Sequence, residues 1–157
     1  MQARYRREFS DRGIDAERLQ LLGWIAEGSH LSIYDRIDVA LDPFPYNGTT
    51  TVCETMWMGV PTVALAGRWH AARMTLSLNT RLGHEGLVAA DPSAYVDIAC
   101  GLAADGNRLR MLRYSMRDTM VSAGMTDPRR FARDMEKAYR DMWRRWCERQ
   151  RKKGQAT

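Results

Sequence analysis

Four short apolar runs decide what kind of sheet this 157-residue chain can build. They are Leu19 to Leu22, Ile37 to Leu41, Thr62 to Leu65 and Leu87 to Ala90. Runs this short, apolar nearly throughout and bounded by glycine, proline or aspartate, fit strands buried on both faces. The segments between them carry helical spacing. Residues 2–12 read as a helix, Ser29 to Arg36 as a short one capped by Ser29, Thr50 to Met58 as a third and residues 70–80 as a fourth. Gly59 stops the third, with Pro61 just beyond, as expected after a C-terminal glycine. Strands alternating with helices imply βαβ units, so the expected class is α/β with a parallel sheet and flanking helices.

Beyond Pro92 the pattern is helix only. Ser93 to Ala104 and Asn107 to about Val121 precede a last helix, and residues 93–150 form an all-helical part of one domain spanning 1–157. In the last helix Phe131, Met135, Tyr139, Met142, Trp143 and Trp146 fall on one stripe. The expectation is that the stripe packs on the domain's own core. The alternative is a surface for a partner, because large exposed apolar patches are rare on monomers.

Composition excludes several classes. At 45% hydrophobic residues the chain folds rather than staying disordered. No apolar run approaches the ~18 residues of a membrane span, and the arginine-rich start has no apolar segment after it to make a signal peptide. Cys53, Cys100 and Cys147 are odd in number and far apart, which fits a reduced, cytoplasmic chain. The net charge of +5 invites a nucleic-acid role. However, all three lysines lie at 137 or later, the arginines are mixed with acids, and no recognised module accompanies them. The dense cluster Arg144, Arg145, Arg149, Arg151, Lys152 and Lys153 reads as a solvated helix end.

The most informative stretch is "DPFPYNGTTTVCE", residues 42–54. It leaves a strand through two prolines and an Asn-Gly pair and sets three threonines at a helix start. In a parallel α/β sheet, ligands bind beyond the carboxyl ends of the strands, where loops lead into helix N-termini. The first helical turn has unpartnered N–H groups and partial positive charge, and a phosphate satisfies both. Thr49, Thr50 and Thr51 add hydroxyl donors there, behind Asn47, and Gly48 allows close backbone approach. The competing account is a simple cap: Thr49 or Thr50 bonds the helix start and Glu54 completes something like a capping box.

These residues also carry a resemblance. "IDVALDPFPYNGTTTVCETMWMGVPTVALAGRWHAAR", residues 37–73, resembles the signature of the O-linked N-acetylglucosamine transferase family, the SPINDLY-like glycosyltransferases of the GT-B type. "RLGHEGLVAADPSAYVDIACGLAAD", "RRFARDMEKAYRDMWRRW", "ERLQLLGW" and "SHLSIYDRID" extend it over nearly the whole chain. The resemblance implies the Rossmann-like C-terminal lobe of a two-lobed enzyme. Such enzymes transfer N-acetylglucosamine from UDP-N-acetylglucosamine to Ser or Thr of proteins, with inversion and without a metal. It places Thr49, Thr50 and Thr51 on the donor diphosphate, Glu54 on the ribose hydroxyls and His30 against the uracil ring. Some relatives use UDP-glucose and asparagine instead. Glu54 stands where animal members have aspartate, and Thr49 where they have histidine, which leaves Thr49 its N–H but not a matched side chain.

Other residues are weighed beside these. By spacing alone His30 is a lone helix-start histidine. His70 and Arg73 follow the third strand, and Arg73 either meets a phosphate or, the preferred reading, braces its loop. His84 reads as an exposed loop residue, Asp42 as a turn residue before Pro43, and Glu27 pairs with nothing. The histidines lack metal-ligand spacing, so no metal and no catalytic residue is assigned. The resemblance further implies a missing N-terminal catalytic lobe and missing helical repeats. It also implies a lysine on the donor phosphates that has no counterpart before Lys137. A departing diphosphate needs positive charge. The chain is therefore expected to bind a UDP-sugar without turning it over, or to act as a non-catalytic module paired with a separate chain.

Overall fold

A computed structural model describes residues 1–25 and 30–154 of the chain. Ser29 and Glu27 lie outside the described residues. Two compact units are present, Met1–Ile33 and Tyr34–Thr157. In the first, α1 (Gln2–Ser10) carries an Arg4–Glu8 pair at 2.7 Å, and a 3-10 turn, Ala16–Arg18, is capped by the Asp15 carboxylate accepting from the Glu17 N–H. The strand expected at Leu19 to Leu22 is absent. Leu19 has extended backbone, but these residues join no ladder among the described residues, and Leu22 is half exposed. Extended dihedrals without hydrogen-bonded neighbours do not make a strand.

The second unit holds the sheet. Its three parallel strands, β1 (Ala40–Leu41), β2 (Thr62–Leu65) and β3 (Val88–Ala89), lie in sequence order. Ala40 pairs with Thr62 and Leu41 with Val63, then Ala64 with Val88 and Leu65 with Ala89. The crossovers are α2 (Thr50–Trp57) and α3 (Met74–Arg81). Parallel neighbours require such crossovers, which explains why helices separate every pair of strands. Only the last two residues of the expected strand 37–41 join the ladder.

The core has two parts. Val52 and Met56 of α2 pack with Leu82, Met116 and Met120, the last two from α5 (Gly106–Ser122). Val63 of β2 packs with Leu87 and with Leu102 of α4 (Pro92–Ala104). Leu112 of α5 touches both clusters and joins them. Asp91, predicted to end the fourth apolar run, caps α4 by accepting from the Ala94 N–H at 2.9 Å. Arg113 of α5 donates to the carbonyls of Tyr34 and Ile37, fixing the chain that enters β1.

The last helix departs from expectation. α6 (Pro128–Gly154) forms as its period demands, but its stripe does not reach the core. Phe131 is 66% exposed, Tyr139 60% and Trp143 63%, and Trp143 stacks on Trp146 with ring centroids 5.0 Å apart. The helical period correctly gave the face. It carried no information on what covers that face, because period depends only on residues a few positions apart along the helix. No helix among the described residues is long and apolar enough to cross a membrane.

Candidate functional site

The loop that leaves β1 is held from inside. The Asp42 backbone N–H continues the ladder to the Val63 carbonyl, and its side chain, 3% exposed, turns back into the loop. One carboxylate oxygen accepts the Gly48 N–H at 2.8 Å, and the other accepts the Thr75 hydroxyl at 2.5 Å. Tyr95 donates its hydroxyl to the Asp42 carbonyl at 3.1 Å and meets the Phe44 ring edge-on. Burial, and then the Asp42 charge, push the Tyr95 phenol above its ordinary pKa, so it remains a donor. Asp42 is thus more than the turn residue expected from the sequence. The sequence signal for its role is thin: an acid placed directly after an apolar strand. Thr75 and Tyr95 gave none.

Asn47 is also buried, at 1% exposure. Its N–H reaches the Ala71 carbonyl at 2.9 Å, its amide nitrogen donates to the Pro43 carbonyl at 3.3 Å, and its side-chain oxygen has no partner. The Asn47–Ala71 bond stitches the β1 exit loop to the loop that follows β2. Gly48 sits where a Cβ would come within 3.1 Å of Val52 Cγ2 and 3.4 Å of Asp42 Oδ1.

The three threonines then emerge on the surface. Thr49 is the cap residue of α2, and Thr50 and Thr51 open its first turn. All three are exposed. Thr49 makes no side-chain cap bond, so the capping-box account fails: the third helical position is Val52, which has no acid to close the box. The first turn therefore presents N–H groups and hydroxyls that the helix does not use. Glu54, half-buried, lies one turn along from Thr50 on the same side of α2. Beside it, burial and the Glu54 charge push the Cys53 thiol up, away from nucleophilic use.

The β2 exit loop carries His70 and Arg73. Arg73 donates to the Gly67 carbonyl at 3.0 Å, the loop brace preferred from sequence. Gly67 is required there, because a Cβ would fall 2.4 Å from that of Ala72. His70 begins a 3-10 turn, His70–Ala72, and is exposed. His30 opens another, His30–Arg36, and falls in the first unit, whereas the threonines belong to the second. His84 is not the exposed loop residue expected. It is half-buried before the turn Glu85–Leu87, and its Nε2 is closed off without a partner. Burial, and then Arg108, lower its pKa from the ordinary 6.5.

Parallel strands alternating with helices, with two exit loops stitched together at their carboxyl ends, define a Rossmann-like α/β lobe, here ending in three helices; its likeness to a solved O-GlcNAc transferase makes it the GT-B glycosyltransferase type. The chain belongs to glycosyl transferase family 41, whose model matches residues 2–135. It is 44% identical over 137 residues to a probable UDP-N-acetylglucosamine–peptide N-acetylglucosaminyltransferase SPINDLY of Oryza sativa subsp. japonica, covering 87% of this chain and 15% of that protein. Its Arabidopsis thaliana counterpart is 41% identical over 136 residues, covering 86% and 15%. An O-GlcNAc transferase structure from Thermobaculum terrenum, a K341M mutant, superposes with a TM-score of 0.85 at 42% identity, covering 94% of this chain and 28% of that one. The chain therefore spans about 15% of the length of the curated relatives it matches.

Proposed function

We propose that this chain is the nucleotide-sugar lobe of a protein O-glycosyltransferase that uses UDP-N-acetylglucosamine and Ser or Thr hydroxyls of proteins, with inversion and without a metal. The observation that carries it is the set of exposed, uncommitted hydroxyls of Thr49, Thr50 and Thr51 at the start of α2, behind a loop fixed from within. On this reading the donor diphosphate meets that helix start, with Gly48 and Asn47 shaping the approach. Glu54 accepts from the ribose hydroxyls, and Arg73 braces the neighbouring loop. The likeness to UDP-N-acetylglucosamine–peptide transferases supports the donor and acceptor classes. The cytoplasm is the compartment that fits three widely spaced free cysteines.

Transfer belongs to a larger assembly. The site as described holds no lysine, and a helix terminus supplies only about 0.3–2 kcal/mol per favourable charge, too little for a departing diphosphate. The exposed α6 stripe supports a second element of the reading: the N-terminal catalytic lobe, in the same chain or another, meets this lobe along that face, and the helical repeats belong to the same assembly.

Calorimetric titration with UDP tests the reading. The chain is expected to bind in the micromolar to low-millimolar range, about −8 to −4 kcal/mol, and the Thr50→Val/Thr51→Val variant to lose that binding. Valine keeps the branched shape and removes the hydroxyls. A folded chain that ignores UDP would refute the site, and sugar transfer by the chain alone would refute its dependence on a second lobe.

A further inference from the structure

We propose that Asp42, locked by Thr75, is the positioning residue that sets the anion-facing turn of α2, an inference that rests on the nucleotide reading above. The bonds that hold Asp42 are all internal to the second unit. β1 ends at Leu41, and the next side chain is a carboxylate buried to 3% exposure. A buried carboxylate is costly unless both oxygens are satisfied. Here one oxygen takes the backbone N–H of Gly48, immediately before Thr49, and the other takes the hydroxyl of Thr75, itself fully buried. Thr75 lies in the first turn of α3, where the helix dipole favours a negative charge.

The consequence is geometric. The six-residue span from Asp42 to Gly48 is closed by a charge-assisted bond, and the far side of the carboxylate is anchored on a different helix. The threonines that follow inherit their position from Gly48. Tyr95 adds a third fixed point at the Asp42 carbonyl. A site for a diphosphate needs its N–H groups already in place, because donors that must reorganise bind weakly. Asp42 faces inward and acts through Gly48, so it positions without touching the ligand.

Three substitutions separate this role from plain stability. Thr75→Val removes the hydroxyl and leaves one carboxylate oxygen unpaired, while Thr75→Ser keeps it. Asp42→Asn preserves both bonds, its carbonyl accepting from Gly48 and its amide donating to the Thr75 oxygen. Titration of the whole chain with UDP is expected to give a Kd raised about tenfold or more for Thr75→Val at unchanged stoichiometry, and within about threefold of the parent for Thr75→Ser and Asp42→Asn. A Thr75→Val chain that binds with the parental Kd, or with reduced stoichiometry and the parental Kd, overturns the positioning role, since a purely structural defect lowers only the folded fraction. Amide hydrogen exchange without ligand gives a readout independent of the nucleotide. Thr75→Val should lose protection at Gly48 while Ala66, whose N–H is bonded to the Ala89 carbonyl, keeps its own, and equal protection at Gly48 overturns the lock. Failure of the parent chain to bind UDP sinks the nucleotide reading, and the positioning role with it, whereas the exchange experiment still judges the lock itself.

Discussion

Gly59 lies beneath the backbone of Arg113 so closely that a Cβ on it would stand 2.5 Å from the Arg113 carbonyl oxygen. It also has φ +78°, the left-handed conformation that ends α2. The glycine thus serves two demands at once: it terminates the helix that begins with the three threonines, and it lets α5 approach that helix's end. Gly59→Ala is expected to cost more than about 2 kcal/mol, combining backbone strain with displacement of α5. Urea unfolding followed by circular dichroism would measure it, and a loss below about 0.5 kcal/mol would show that α5 moves freely.

Met56 stands on the inner face of α2 with no exposure, in contact with the cluster that includes Met116 and Met120. Met56→Ala should destabilise the chain by about 2–5 kcal/mol through lost burial and a cavity. Because three methionines share the cluster and can shift to fill space, the lower half of that range is expected. Chemical denaturation of parent and variant gives the value directly.

His84 makes stability depend on pH in a defined direction. Its pKa in the fold is lowered by burial and by Arg108, so the unfolded chain takes up the proton more readily. The neutral form favoured by the fold prevails above the ordinary 6.5, and the penalty for protonation grows as pH falls from there through the folded value. His84→Gln should therefore leave the slope unchanged above about pH 7 and flatten it below about pH 6. Thermal melts of both proteins across that range decide it; parallel curves would remove His84 from the account.

The α6 stripe can be tested without a partner. Trp143→Ser together with Trp146→Ser should change the stability of the isolated chain by no more than about 0.5 kcal/mol per site, because both rings are at least half exposed. If the stripe packed on the chain's own core, each change would cost about 3–5 kcal/mol. Binding of a hydrophobic dye should fall with the double change, and an unaltered signal would mean that the exposed surface lies elsewhere.

What the sequence determined by itself was local. Hydrophobic period placed β2 at Thr62 to Leu65, the α2 helix with its glycine stop, and the α6 face, because period and caps depend on neighbours a few residues apart. The threonine row was legible for the same reason: a helix start and its hydroxyls are contiguous in the chain. Tertiary structure decided what depends on distant partners. Leu19 to Leu22 had the composition of a strand and no ladder to join. Asp42 became the support of the loop only because Thr75, 33 residues away, reaches its second oxygen, and Tyr95, 53 residues away, reaches its carbonyl. The face of α6 follows from its period, but whether that face is covered depends on what packs against it, which no local pattern encodes.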